Sequence, residues 1–573
     1  MGCSVYGKAG LCHLDVSESI KQTAVASFLQ MPAAAFVILW RKKLAAGTGL
    51  GDDSSYSRMD AGATFRKGPG ARCIWFLLVW MSFTCAGADW PQFRGLNHDG
   101  ISTDRVTTNW TGAVTNPLWR VHLPNALCSL AVSGGKIYTQ AIRENREVCV
   151  ALTATNGVEL WATPLDDARY DGGVGYDDGP RSTPAVADGG VFVLTSYLKL
   201  YRLDPTDGTV VWQKDLVGLY RSVVIAWQNA ASPLVANGLI YLNASTPTNS
   251  LMALRTSDGS LAWRGQNEGM THSTPVLATI HGVPQVIFAT HYGIASVDPT
   301  NGSLFWRINY PFGYNTSLGA SPVVCDDVVF ICGGRAYGMG SVAYQASLSN
   351  SVWRATQLWS ANTTAAHWMT PVCRDGHLFG HFGIFGFDSA NAELTCLEAR
   401  TGTVKWRMAG FGRAGAVLAN DQLVSLTERG ELVLVKPDTN SYVELGRFRA
   451  ILNYFPDTNK CWNGPAVSNG KVFARSSAFV AAFDLSPSSL KFEPPHFTSV
   501  DKLALTVSAA NGAPLTSNRV ASMELLAGTN LADSLSQWIK LTNGLALTNG
   551  RVRIDNVDSS GHPRRYFIVK EPD

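Results

Sequence analysis

Charge is scarce in this sequence. Asp, Glu, Lys and Arg make up 16% of its 573 residues, where an average soluble domain carries about 25%. It has no long basic or acidic run, and its formal net charge is +3. Nucleic acid and an electrostatic membrane surface are therefore not expected partners. With no CxxC and no adjacent Cys-Cys pair, zinc-ribbon and redox-motif readings fail. GxSxG, HExxH and phosphate-loop motifs are missing too. What is plentiful is glycine, 54 residues, and aromatics, 10%. That mixture suits an all-β, turn-rich chain.

The first 88 residues read as a leader. CIWFLLVWMSF (73–83) has the length of a signal-peptide core, with Arg66, Lys67 and Arg72 before it and Ala86-Gly87-Ala88 after it as a small-residue cleavage site. The run is too short to span a bilayer comfortably, so no transmembrane domain is expected in the mature chain. Residues 59–88 are taken as the signal peptide and 1–58 as a spurious or disordered extension, because Met59 makes a natural start. The sequence before Cys85 is a poor lipobox. Export to the periplasm or beyond is the expectation. Of eleven cysteines, seven lie beyond Ala88, and an odd number leaves at least one unpaired.

From there on, the chain repeats itself. STPAVADGGVFVL (182–194), ASPLVANGLIYLN (231–243), ASPVVCDDVVFIC (320–332), MTPVCRDGHLFGH (369–381) and NGPAVSNGKVFAR (463–475) are each an apolar strand, a two-residue turn and another apolar strand. STPVLATIHGVPQVIFAT (273–290) and the weaker CSLAVSGGKIYTQ (128–140) and AGAVLANDQLVSL (414–426) bring the copies to eight. A second phrase ends about twenty residues after five of them: TNGVELW, TDGTVVW, SDGSLAW, TNGSLFW and RTGTVKW. Four strands per unit at a spacing of about 45–50 residues is the period of a propeller blade. Gly157, Gly208, Gly259, Gly302 and Gly402 supply the turn, and Trp161, Trp212, Trp263, Trp306 and Trp406 are expected to seal blade against blade. Trp359 serves the fifth unit without the full turn. Trp119, with no blade before it, is expected on a strand that completes the last blade and closes the ring.

These motifs resemble the tryptophan-docking repeat of pyrroloquinoline-quinone (PQQ) repeat propellers, best in ALRTSDGSLAW (253–263), in RLDPTDGTVVW with Asp204, and in SVDPTNGSLFW with Asp298. DWPQFRGLNHDGIS (89–102) and YDDGPRSTP (176–184) are similar to segments of exported bacterial PQQ-like proteins. The resemblance implies an eight-bladed β-propeller of four-stranded antiparallel blades over 116–486, after an N-terminal segment at 89–115. The family includes PQQ-dependent alcohol dehydrogenases, with a vicinal disulfide, a calcium and a catalytic aspartate, and also the non-enzymatic propeller of the outer-membrane β-barrel assembly machinery. The missing Cys-Cys pair, and the lack of any match to the calcium ligands or the aspartate, place this chain nearer the second. A binding or assembly scaffold without catalysis is expected, with a quinoprotein oxidoreductase holding PQQ and calcium as the alternative.

Tight turns should share one face and the longer loops between blades the other, whose central mouth is the default site. Residues two positions before each inner strand should ring it: Leu127, Arg181, Ala230, His272, Gly319, Trp368, Arg413 and Trp462. Arg181, His272, Trp368, Arg413 and Trp462 could hold a small flat anionic ligand or an acidic loop of a protein partner. They could equally plug the channel and satisfy backbone carbonyls. Asp177 and Asp178 are metal or base candidates, though such residues more often make turn hydrogen bonds. His377 and His381 are four apart on a strand, which is not helical zinc geometry, so no metal is assigned. Residues 487–495 read as a linker, and 496–573 as a small C-terminal β-sandwich-like module.

Overall fold

The computed structural model describes residues 89–570 apart from 109, 111–114, 169–178, 311–317, 334–339, 384–390, 454, 456–458, 500–501, 511–513, 516, 522, 531–534 and 559–564. The leader assignments, and Asp177 and Asp178, lie outside the described residues. The chain divides into two compact units, Gly87–Pro487 and one that contains Ser488–Asp573.

The larger unit holds eight antiparallel sheets among the described residues, each built from a consecutive run of strands. The first runs Ala131–Ser133, Lys136–Arg143, Arg146–Thr153 and Glu159–Asp167. The second to sixth begin at Ala185, Leu234, Val276, Val323 and Val372 and end at Asp215, Gly265, Asn309, Ala361 and Met408. The seventh spans Ala416–Arg449 and gains Ile101–Ser102, which lies parallel to Ala416–Ala419. The eighth runs from Ala466 to Asp484, and its outer strand is Trp119–His122, paired with Phe479–Asp484. An early strand thus completes the last sheet and covers its edge. The arrangement is a β-propeller.

The first two strands of each sheet turn on residues of left-handed φ, such as Asp188–Gly189, Asn237–Gly238, Asp375–Gly376 and Asn469–Gly470. That mirror-image turn matches the twist of the strands it joins, which explains the recurrent Asn, Asp and Gly. The recurrent Ser or Thr before proline has its own cause. The amides of Ser129, Thr183 and Ser232 each donate to the hydroxyl of the following sheet, on Thr183, Ser232 and Thr274, at 2.9 Å. The Ser321 amide does the same with Thr370 at 3.0 Å. At these four joints a hydroxyl satisfies an amide that lies just before the inner strand and outside its ladder.

Outer joints follow the same logic. The indole N–H groups of Trp119, Trp161, Trp212, Trp263, Trp359 and Trp406 donate to the carbonyls of Ala154, Pro205, Thr256, Pro299, Ala399 and Asp438, in the third-to-fourth-strand turn of the next sheet. Trp306 differs. The fifth sheet turns on Asn350–Ser351 instead of a Thr-Gly turn, and the Trp306 N–H donates within its own sheet to Gln285 Oε1, 2.9 Å. There Trp353 packs on Phe305 and His281 to fill the joint. A disulfide, Cys325–Cys373, joins the inner strands of the fifth and sixth sheets.

The smaller unit has two antiparallel sheets. One is built on Lys502–Ala509 and Arg551–Asp558, the other on Glu524–Gly528 and Tyr566–Lys570. Leu490–Phe492, within the stretch read as a linker, pairs with Lys502–Ala509. The reason is apolar burial: Leu490 belongs to the same core as Leu505, Val507 and Ile554.

Candidate functional site

The residues expected to ring the mouth lie on the segments that lead into the inner strands, and most of them bond to a neighbouring loop. Leu127 N–H donates to Pro180 O, and Gly319 N–H to His367 O. Arg181 Nη1 donates to Trp227 O at 3.0 Å, and His272 Nε2 to Gln228 O at 2.9 Å. Trp368 Nε1 reaches Arg413 O at 3.2 Å, and Asn463 Nδ2 reaches Cys128 O at 3.1 Å.

Trp368, Arg413 and Trp462 come together as one cluster. The two indoles lie 4.8 Å apart between centroids, inclined at 34°. The Arg413 guanidinium sits 5.2 Å above the Trp462 ring, and the Lys460 ammonium 4.8 Å from it. Glu428 organises the cluster: Oε1 lies 3.2 Å from Arg413 Nε and accepts from Trp462 Nε1, also at 3.2 Å, while Oε2 accepts from the Arg413 amide at 3.1 Å. Glu428 is 5% exposed, so its charge is held by direct partners and not by water. Sequence reasoning missed Glu428, Lys460 and His367. The one signal for Glu428 is a lone acid directly after an apolar strand, SLTERGEL (425–432).

Arg181 and His272 form the second group, converging on Trp227 and Gln228. Both of these take left-handed φ, 66° and 56°, a conformation that side chains disfavour and that persists when surrounding bonds impose it. The two carbonyls are held by the guanidinium and the imidazole. Burial, then the charges of Arg181 and His367, lowers the His272 pKa to about 3, so the ring is neutral and Nε2–H is the donor.

These contacts fasten a strap. Asp215 caps a short helix, Leu216–Tyr220, by accepting from the amides of Val217 and Gly218. Val223 N–H then donates to Ser245 O, and Asn229 N–H to Ser196 O. Tyr220, Val224 and Ile225 pack on the core shared by the second and third sheets. Val217, Leu219, Val223 and Trp227 are left pointing to solvent, 40%, 57%, 59% and 36% exposed.

The residues of the mouth do not fit a planar quinone tricarboxylate. The two indoles are already in contact, Arg413 is engaged by Glu428, and the buried Glu428 carboxylate would oppose a further anion. His377 and His381 have separate partners: Asp375 O for the first, Gly412 O and Ser425 Oγ for the second. Among the described residues, no three His, Cys, Asp or Glu side chains converge as a metal site.

Residues 144–408 match the family model described as outer membrane protein assembly factor BamB. The protein of that name from Moranella endobia (strain PCIT) is 24% identical over 356 residues, covering 56% of this chain and 81% of its own length. Among solved structures, BamB from Moraxella catarrhalis superposes with a TM-score of 0.44 at 14% identity, covering 64% of this chain and 97% of that one. Quinohemoprotein alcohol dehydrogenase from Comamonas testosteroni superposes with a TM-score of 0.48 at 12% identity, covering 71% and 82%. The repeat read from the sequence and the family model coincide over residues 144–408, and there this chain is similar to the PQQ-like repeat β-propeller proteins.

Proposed function

We propose that the eight sheets are the blades of one closed eight-bladed propeller, exported to the cell envelope, that serves as a binding or assembly scaffold. Its partner is a protein, docked on the strap at 216–231. One observation carries this reading: Arg181 and His272 hold the carbonyls of Trp227 and Gln228 and so fix an apolar strap with Trp227 turned outward. A rigid aromatic anchor among exposed aliphatic side chains is what a protein interface spends its binding energy on. Of the mouth residues, Arg181 and His272 support the strap, while Trp368, Arg413 and Trp462 are engaged with one another and with Glu428. The assembly role named for the relatives of this chain fits such a surface. The small C-terminal module is read as an appended β unit of the same exported protein.

The test places a photo-crosslinking amino acid at Val223 or, on the opposite rim, at Val158. Adducts with a subunit of the outer-membrane assembly machinery from 223 and not from 158 are expected, weakened by Trp227→Ala and by Arg181→Ala. Equal adducts from both positions, or none, would sink the proposal. The oxidoreductase alternative has its own arm, titration with PQQ with and without calcium. Calcium-dependent saturable binding, lost in Arg413→Ala, would move the reading to an enzyme.

A further inference from the structure

The outer strands carry tryptophan at one ladder position: Trp161, Trp212, Trp263, Trp306, Trp359 and Trp406 stand opposite Ala151, Arg202, Ala253, Ser296, Ala343 and Cys396. In each case the register shifts at the next pair. The closing strand brings Trp119 opposite Ala482, at its first ladder pair. The seventh sheet has the same shift, between Leu434 and Val435, but there the residue opposite Leu434 is Gly446. Its tryptophan is missing from the repeat.

Trp110 takes that place from outside. A Cβ on Gly446 would stand 2.7 Å from Trp110 Cβ and 3.1 Å from its Cγ, so the side chain lies across the bare glycine. Trp110 is buried and meets Phe448 edge-on at 5.3 Å. Its indole N–H donates to Thr107 O, and Thr107 N–H donates to Leu485 O, just past the third strand of the eighth sheet. The seventh-to-eighth joint therefore has an indole bonded to chain that is itself tied to the next sheet, where six other joints have an indole bonded to the next sheet directly.

Trp110 ends a segment that visits most of the inner strands. Trp90 bridges to Val132 of the first sheet, and Pro91 O accepts from Val186 N–H of the second. The Gln92 amide exchanges two bonds with Val235 of the third, 3.2 and 3.1 Å, imitating a strand. Buried Arg94 donates to Thr370 O and Pro371 O at the entry to the sixth, at 3.0 and 2.8 Å. Ile101–Ser102 adds to the seventh, and Asp104 Oδ2 accepts from Gly470 N–H of the eighth at 3.3 Å. Six sheets are thus joined by residues that belong to none of their repeats.

We infer that residues 89–108 and Trp110 are a clasp, which fills the channel between the inner strands and supplies the tryptophan that the seventh sheet lacks. The locking of the seventh-to-eighth joint then passes through this segment. The inference is independent of what docks on the strap.

Hydrogen exchange on the full chain tests it. Trp110→Ala should speed exchange about tenfold or more in 443–449 and 479–485 while leaving 251–265 unchanged. Adding Gly446→Trp to that variant should restore protection. Unchanged exchange at the joint, or an equal rise at 251–265, overturns the clasp. Should Trp110→Ala not fold, Trp110→Phe with the same readout replaces it. The channel has a second readout at the inner strands: Arg94→Ala removes the bonds to Thr370 O and Pro371 O and should speed hydrogen exchange about tenfold in 372–374 while leaving 276–280 unchanged. Continued protection of 372–374 overturns the filling of the channel.

Discussion

The ring of Trp263 occupies the space where a side chain on Gly302 would begin. Gly302 has φ 73°, and a Cβ there would collide with Cε3 and come within 2.7 Å of Cζ3. Gly282, in the first turn of the same sheet, has φ 77° and nothing within 4 Å of the same point. The two positions separate backbone strain from docking. Gly282→Ala should cost about 1 kcal/mol, the left-handed penalty alone. Gly302→Ala should cost a further 1–3 kcal/mol, roughly, because the indole must be displaced. Urea unfolding of the two variants measures the difference, and equal costs would show that the tryptophan does not depend on the bare glycine.

Glu428 ties Arg413, its amide and the Trp462 N–H into one buried knot. Removing one member of such a knot leaves the others without solvent or partner. Glu428→Ala should therefore destabilise by about 3–5 kcal/mol, more than Arg413→Ala, whose side chain is the more exposed of the two. Thermal unfolding in low and high salt checks this. A buried pair responds weakly to salt, so a stability loss that vanishes in high salt would contradict the burial argument.

Why was so much of the frame legible and so little of the site? Turn chemistry is local: Asn, Asp or Gly at 188–189, 237–238 and 469–470 declares a hairpin before any contact is known. The Trp-to-turn joint repeats, so one observation such as SDGSLAW serves several sheets. The mouth does not repeat. Glu428 has no motif, and its partners Arg413 and Trp462 come from the approaches to two different sheets. Gly446 reads as an ordinary glycine until Trp110, from a segment outside the repeat, is seen lying over it. The left-handed Trp227 and Gln228 follow from hydrogen bonds to Arg181 and His272, contacts that loop sequence does not encode.

The cysteines carry a prediction that the sequence left open. Cys325 and Cys373 are 48 residues apart, near one repeat length, and their bond staples the fifth sheet to the sixth. Cys128, Cys149, Cys332, Cys396 and Cys461 are buried thiols. Mass mapping of the protein alkylated in denaturant without reductant should find these five labelled and 325 and 373 spared. Cys325→Ser with Cys373→Ser should lower stability by about 2–4 kcal/mol, the usual worth of a cross-link closing a loop of this size. The sheet between them lacks the Thr-Gly turn, so the loss should show first in exchange across 341–361. Labelling of all seven would mean that the chain matures where thiols stay reduced, against export.

Acid should loosen the fold at buried imidazoles, with His381 the clearest case. Its Nδ1 faces Gly412 O at 3.1 Å, so that nitrogen carries the proton, and Nε2 accepts from Ser425 Oγ at 2.7 Å. Burial lowers its pKa to about 4, against the small help of the Gly412 carbonyl. The unfolded chain binds that proton near pH 6.5. A depressed folded pKa means that the stabilising contribution is whole above about pH 6.5 and is lost as pH falls toward 4. The slope is at most about 1.4 kcal/mol per pH unit for one histidine. His381→Gln can keep both bonds, with its amide N–H to Gly412 O and its carbonyl to the Ser425 hydroxyl, without the titration. Its stability curve should be flatter than that of the parent between pH 6.5 and 4 and should converge on it above pH 7. Parallel curves across that window would place the acid response elsewhere, on His98 or His272, whose pKa values are lowered to about 4 and about 3.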